Sequence, residues 1–136
     1  MIEVKNLVKK YGDHTAVDHL RFTVEKGQIY GFLGPNGAGK STTMNIMTGC
    51  LSATEGSVKI DGYDIFEDAG KAKKLIGYLP EQPPLYMEMT VSEYLKFAAE
   101  LKKIPRSERE TQIDKVVRMA RLRDVMDRMI QNLSKG

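Results

Sequence analysis

The sequence predicts an α/β core followed by a small helical subdomain, on three observations. Short stretches in the first half alternate apolar and polar residues, as β-strands with one buried face do. A glycine-rich segment, residues 34–41, lies between an apolar run and a helical pattern. From residue 90 onwards, apolar residues recur at helical spacing instead. We therefore expect the core over residues 1–80, a loop over 81–90 and the helical subdomain over 91–136.

Two antiparallel strands are predicted ahead of the glycine-rich segment. Residues 2–7 alternate, and residues 16–24 alternate again, with the turn signal Gly12-Asp13 between them. The remaining core elements are expected in this order: a buried strand at 28–33, a helix from 41 to 47, strands at 56–62 and 63–65, a brief helix at 71–75, and a buried parallel strand at 76–79.

The segments after residue 80 carry clear start and stop signals. Three prolines between residues 80 and 90 predict a loop. Thr90 and Glu93 form a capping box that opens a helix, which must stop before Pro105. Ser107 and Glu110 predict a second capping box. The apolar residues expected on one face of the second helix are Ile113, Val116, Val117 and Ala120.

The glycine-rich segment matches the phosphate-binding P-loop pattern G-x-x-x-x-G-K-[ST]. Its glycines allow successive backbone N–H groups to point at phosphate oxygens, and the following helix contributes its positive end. Lys40 brings a charge to the β- and γ-phosphates and is the candidate catalytic residue, while the Ser41 hydroxyl can bind Mg²⁺. A glycine-rich turn before a lysine is the structural alternative. The candidate nucleotide-binding residues are Gly34, Pro35, Asn36, Gly37, Ala38, Gly39, Lys40, Ser41 and Thr42.

Composition excludes several classes of function. The formal net charge is only +3, and basic residues are intermixed with acidic ones, so we expect no nucleic-acid partner. One cysteine, Cys50, cannot form an internal disulfide. No apolar run approaches the roughly 18 residues of a membrane span, and we expect no signal peptide at the N-terminus. These features predict a protein of the cytosol.

With these segments placed, the chain resembles the N-terminal part of an ABC-transporter ATP-binding domain. The motifs that carry the resemblance are the P-loop GPNGAGKST (Walker A), the strand pair TEGSVKIDGYDI, the Q-loop region IGYLPEQPPLYMEMTVSEYL and LSKG, which is similar to the start of the LSGGQ signature. GYLPE and LSKG are most similar to exporters of the ABC-2 kind. The resemblance implies a P-loop NTPase core with N-terminal antiparallel strands, a helical subdomain and an incomplete C-terminal half.

The resemblance also assigns residues outside the P-loop. Tyr11 falls where the family stacks an aromatic ring on adenine, and Val17 falls where an apolar side chain touches the base or ribose. Ser134 and Gly136 fall in the signature, which serves the ATP held by a second domain in a head-to-tail dimer. The implied ligands are ATP and Mg²⁺.

The Q-loop departs from the family pattern at its functional position. The family's glutamine aligns with Glu81, and Gln82 follows one residue later. We expect Glu81 to contact the metal, because a carboxylate is a strong ligand for a hard cation. The alternative is a shift of one residue, with Gln82 in the role and Glu81 turned to solvent.

The family's Walker B strand, catalytic glutamate and switch histidine have no counterpart in these 136 residues. We therefore expect nucleotide binding without turnover by this stretch alone, and ATPase activity in the parent protein. In the family the Walker B strand lies beside the P-loop strand, so its absence would leave a central strand with an open apolar edge.

The function implied is ATP binding by the ATPase subunit of an ABC transporter, on the inner face of the cell membrane and attached to a transmembrane permease. Two alternatives remain: a non-transport ABC ATPase, and a nucleotide-binding module without turnover. Leu85, Tyr86, Met87 and Met89 are the expected permease-docking residues, unless they pack locally under their loop.

Overall fold

The computed structural model describes residues 1–134. The chain divides into two compact units, one over Met1–Leu79 and the other from Pro80 onwards. Among the described residues, no helix combines the length and the apolar character needed to cross a bilayer.

The first unit contains a four-stranded antiparallel sheet. Its strands are β1 (Ile2–Tyr11), β2 (His14–Val24), β3 (Glu55–Ile60) and β4 (Tyr63–Asp64), in the spatial order β2-β1-β3-β4. The β1–β2 hairpin turns at Gly12, whose φ of 57° is in the left-handed region that tight hairpins require. The predicted N-terminal antiparallel strands are therefore present, and β3 and β4 follow as the sequence indicated.

Two helices contribute buried residues to the core of this unit. Helix α1 (Lys40–Met47) inserts the fully buried Ile46, and the short α2 (Ala69–Ala72) adds Ala72 before a 3₁₀ turn at Lys73–Leu75. The buried cluster consists of Val4, Leu7, Val17, Ile46, Val58, Ile60, Ile65 and Ala72. This core anchors both β2 and α1, the two elements that flank the glycine-rich loop.

The predicted strands at 28–33 and 76–79 are wrong. Neither segment forms a strand in the described part of the chain, and Ile29, Leu33 and Leu79 are 103%, 93% and 81% exposed. A strand needs a neighbour to accept and donate its backbone hydrogen bonds, and no other segment of residues 1–134 pairs with either one. Apolar composition alone therefore did not produce these strands.

Along residues 28–33, side chains alternate between covered and exposed positions, as they do in an extended segment. Phe22 on β2 stacks on Tyr30 at 5.3 Å between ring centroids and contacts Phe32 at 5.8 Å. Ile29 and Leu33 are exposed instead. One face of the segment is thus covered by aromatic contacts while the other faces solvent.

The second unit is helical, with α3 (Val91–Leu101), α4 (Arg106–Met119) and 3₁₀ turns at Arg123–Val125 and Ile130–Asn132. The capping box at the start of α3 is confirmed: the Glu93 N–H donates to Thr90 Oγ1 at 3.2 Å, and the Thr90 N–H donates to Glu93 Oε2 at 2.8 Å. These hydrogen bonds from Thr90 lower the pKa of Glu93 below its ordinary value.

The second predicted capping box is wrong. Helix α4 begins at Arg106 after Pro105, so Ser107 lies inside the first turn and does not cap it. Arg109 organises this turn instead: its Nε donates to the Ile104 carbonyl at 2.9 Å, and its Nη1 donates to Glu100 Oε1 at 2.6 Å.

Candidate phosphate-binding site

The glycine-rich loop has the backbone conformation that its sequence indicated. Gly37 and Gly39 have φ values of 83° and 75°, both in the left-handed region. The Ala38 N–H donates to the Pro35 carbonyl at 3.2 Å and closes the loop on itself. At its end, the Gly39 carbonyl accepts from both the N–H and the hydroxyl of Thr43, at 2.8 and 2.9 Å. The loop is thus joined directly to the first turn of α1.

Gly39 is also in close contact with β2. A Cβ atom at this position would lie 2.2 Å from the Ala16 carbonyl oxygen and 3.2 Å from Val17 Cγ2. Glycine is therefore required here for two independent reasons, the left-handed φ and the close approach of a neighbouring backbone. The sequence motif indicated the first reason, whereas the contact with β2 was not visible in the sequence.

The Lys40 side chain folds back over the loop. Its Nζ donates to the carbonyls of Gly34 and Pro35, each at 2.6 Å. The ammonium is therefore held next to the loop backbone rather than extended into solvent. Because the first-turn N–H groups of α1, at Lys40, Ser41 and Thr42, have no partner within the helix, they add donors at the same place. The first turn of α1 contains no acidic residue that would oppose an anion.

A cavity of about 340 Å³ adjoins the loop. It is lined by Thr15, Ala16, Val17, Asp18, Leu20, Phe32, Gly37, Ala38 and Thr43. Val17, a predicted base or ribose contact, therefore lines the same cavity as the loop residues Gly37 and Ala38. This arrangement suits a ligand that combines phosphates with a partly apolar group.

Tyr11 does not line this cavity. It ends β1, is 50% exposed, and pairs with His14 across the hairpin. The Lys9 ammonium lies 5.2 Å from the centroid of its ring. Lys9 was not singled out from the sequence, although its spacing of two from Tyr11 places both side chains on one face of β1.

The loop can supply only some of the ligands that a magnesium ion needs. Within residues 1–134, no cluster of three or more His, Cys, Asp or Glu side chains could enclose a metal ion. Mg²⁺ in nucleotide sites takes most of its ligands from water and phosphate oxygens, so a single hydroxyl such as that of Ser41 suffices on the protein side. The donor set fits Mg²⁺ that arrives with a nucleotide.

The remaining predicted site residues belong to the second unit. Glu81 and Gln82 are both exposed. Ser134 lines a cavity of about 430 Å³ together with Gln82, Pro83, Leu85, Met87, Ile130 and Leu133. Gly136, the other predicted signature residue, lies outside the described residues.

The Pro-rich loop is joined by backbone hydrogen bonds to the segment that leads to Ser134. The N–H groups of Ile130 and Gln131 donate to the carbonyls of Met89 and Met87, at 2.9 and 3.1 Å. The N–H groups of Val91 and Ser92 donate in turn to Arg128 and Met126, at 3.1 and 2.9 Å. Residues 87–92 and 126–131 therefore form one connected piece of backbone.

Comparisons of this chain with known proteins all indicate the same family. The family model described as "ABC transporter" matches residues 17–136. The chain is 47% identical over 97 residues to a probable multidrug ABC transporter ATP-binding protein of Escherichia coli, YbhF, covering 71% of this chain and 17% of that protein. It is 35% identical to the bacitracin transport ATP-binding protein BcrA of Bacillus licheniformis, over 100% of this chain and 44% of that protein.

Solved structures confirm the fold. A dimeric ATP-binding cassette in a post-hydrolysis state, bound to ADP and Pi, superposes with a TM-score of 0.79 at 26% identity, covering 98% of this chain and 63% of that one. The P-loop NTPase fold expected from the sequence is therefore confirmed. The chain spans less than half the length of these two curated relatives.

Proposed function

We propose that this chain, which belongs to the ABC transporter ATP-binding family, forms the nucleotide-binding part of an ATPase subunit that drives transport across a membrane. The observation that supports this most directly is the loop at 34–39, whose glycine conformations, first-turn amides and Lys40 ammonium converge on one place. This donor arrangement suits the triphosphate of ATP.

Different residues of the site would bind different parts of ATP. Backbone N–H groups of residues 36–42 would hold the phosphates, and Lys40 would exchange its two carbonyl partners for β- and γ-phosphate oxygens. Ser41 would provide the protein ligand to Mg²⁺, which neutralises charge on the phosphates. Tyr11 would stack on the adenine, and Val17 would contact the base or ribose.

The complete protein would act as a dimer bound to a permease at the cytoplasmic face of the membrane. A solved relative of this fold is dimeric, and the relatives YbhF and BcrA are described as transporter proteins. In such a dimer Ser134 and Gly136 would contact the ATP of the partner domain. On the basis of the sequence motifs GYLPE and LSKG, we propose that this permease is of the ABC-2 kind.

The Pro-rich loop is the proposed docking site for the permease. Leu85, Tyr86 and Met87 are 37%, 51% and 46% exposed, although Tyr86 also packs edge-on against Phe97 at 5.1 Å. Because the backbone at Met87 and Met89 is bonded to Gln131 and Ile130, movement of this loop would displace the segment that carries Ser134.

This docking site gives the experiment that tests the transport function. In the full protein with its permease, Leu85→Glu and Met87→Glu should reduce transport at least about tenfold while ATP affinity stays unchanged, because a buried unpaired carboxylate in the contact is costly. Met119→Glu is the matched control, since Met119 is 75% exposed on α4. Normal transport by both loop variants would reject this docking site.

A second prediction concerns the metal. We expect ATP affinity to depend on Mg²⁺ more steeply than in a glutamine version of the Q-loop, because the Glu81 carboxylate binds the metal but repels the γ-phosphate without it. Titrating ATP with and without Mg²⁺ should show a reduced dependence in Glu81→Gln. Glu88→Gln, another exposed carboxylate, should change nothing. A dependence that survives Glu81→Gln but disappears in Gln82→Ala would assign the role to Gln82.

A further inference from the structure

Lys9 makes two contacts that together fix its ammonium group. Its Nζ lies 5.2 Å from the centroid of the Tyr11 ring and donates to the Ser52 carbonyl at 2.8 Å. The side chain is half-buried, so its charge is partly removed from solvent. A cation in this position is attracted to the electron-rich face of the aromatic ring.

The Ser52 carbonyl is itself held in place. Two residues later, the Thr54 N–H donates to the Val8 carbonyl at 2.8 Å, and the Thr54 hydroxyl accepts from the Lys10 N–H at 3.0 Å. These bonds attach the segment that follows α1 to the last residues of β1. Lys9 therefore joins the segment after the phosphate-loop helix to the aromatic residue at the end of β1.

We propose that Lys9 is a positioning residue of the nucleotide site: it holds the Tyr11 ring by one face so that the opposite face stacks on the base. This inference rests on the proposed ATP-binding function. Tyr11 is 50% exposed at the end of its strand, and an unrestrained ring there would lose rotational freedom when a base stacks on it. The cation also withdraws electron density from the ring, which reduces repulsion between its free face and the π system of a purine.

The test uses the full-length protein and two probes, ATP and ribose 5′-triphosphate, which lacks the base. Lys9→Met should weaken ATP binding about two- to fivefold, the range expected for a partly exposed cation–π contact, and leave ribose triphosphate binding unchanged. Lys9→Arg should bind ATP like the wild type, because a guanidinium can reach both the ring and the Ser52 carbonyl. In a Tyr11→Leu background, Lys9→Met should have no further effect on ATP affinity.

The outcomes separate this inference from the function on which it rests. Equal losses for both probes in Lys9→Met, or losses that add fully to those of Tyr11→Leu, would overturn the positioning role. Lys9→Gln serves as a second neutral variant if Lys9→Met lowers the melting temperature of the free protein. If Tyr11→Leu leaves ATP affinity unchanged, then base stacking on Tyr11 is itself wrong.

Discussion

Replacing Lys40 by alanine should strongly reduce the stabilisation of the protein by Mg-ATP. The Lys40 ammonium is held at the glycine-rich loop by the Gly34 and Pro35 carbonyls, and it is the only side-chain cation within this loop. A charged hydrogen bond to the β- and γ-phosphates contributes about 1.5–3 kcal/mol. A ligand present at 100 times its Kd stabilises the folded state by about 2.7 kcal/mol, and a loss of that size in binding removes about half to nine-tenths of this stabilisation.

The measurement is the melting temperature as a function of Mg-ATP concentration. The relevant quantity is the increase caused by nucleotide, because Lys40→Ala also removes two hydrogen bonds from the free protein. Lys74→Ala provides the control, since Lys74 is an exposed lysine in the 3₁₀ turn at Lys73–Leu75. Equal increases in the wild type and Lys40→Ala would show that the loop does not bind phosphate.

Replacing Gly39 by alanine should disrupt the same site through the backbone. The new Cβ would lie 2.2 Å from the Ala16 carbonyl oxygen, so either β2 or the loop must move. The left-handed φ of 75° adds strain for any residue with a Cβ. We expect the free energy of unfolding to fall by about 1–3 kcal/mol and ATP affinity to fall at least about tenfold.

The control for Gly39→Ala is Gly62→Ala in the turn between β3 and β4. Gly62 has a similar φ of 84°, but a Cβ there would meet no atom within 4 Å. The Gly62→Ala variant should therefore reproduce the backbone strain, with a loss of stability of about 1 kcal/mol, and leave ATP affinity unchanged. Chemical denaturation and ATP titration of both variants separate the two effects. An unchanged affinity in Gly39→Ala would show that ATP binding does not require the position of the loop against β2.

Local sequence determined the features whose causes are local. The β1–β2 hairpin follows from alternation around Gly12-Asp13, and the α3 capping box follows from Thr90 and Glu93, three residues apart. The conformation of the glycine-rich loop was predictable because the glycines at 37 and 39 allow left-handed conformations that few other residues adopt. In each case the signal that specifies the feature, at the turn, the cap or the loop, lies within a few residues.

Tertiary structure decided the features that depend on distant partners. The apolar segment at 28–33 is not a strand, because a strand requires a neighbour to complete its hydrogen bonds and no described segment provides one. The start of α4, by contrast, has local causes that the pattern at Ser107 did not indicate: Pro105 precedes the helix, and Arg109 donates to Ile104 and Glu100, five and nine residues away. The approach of Gly39 to Ala16 joins residues far apart in the sequence, and the bond from Lys9 to Ser52 joins residues 43 positions apart. A linear pattern records which residues could make such contacts, but only the packing of β1, β2 and α1 in one core brings them together.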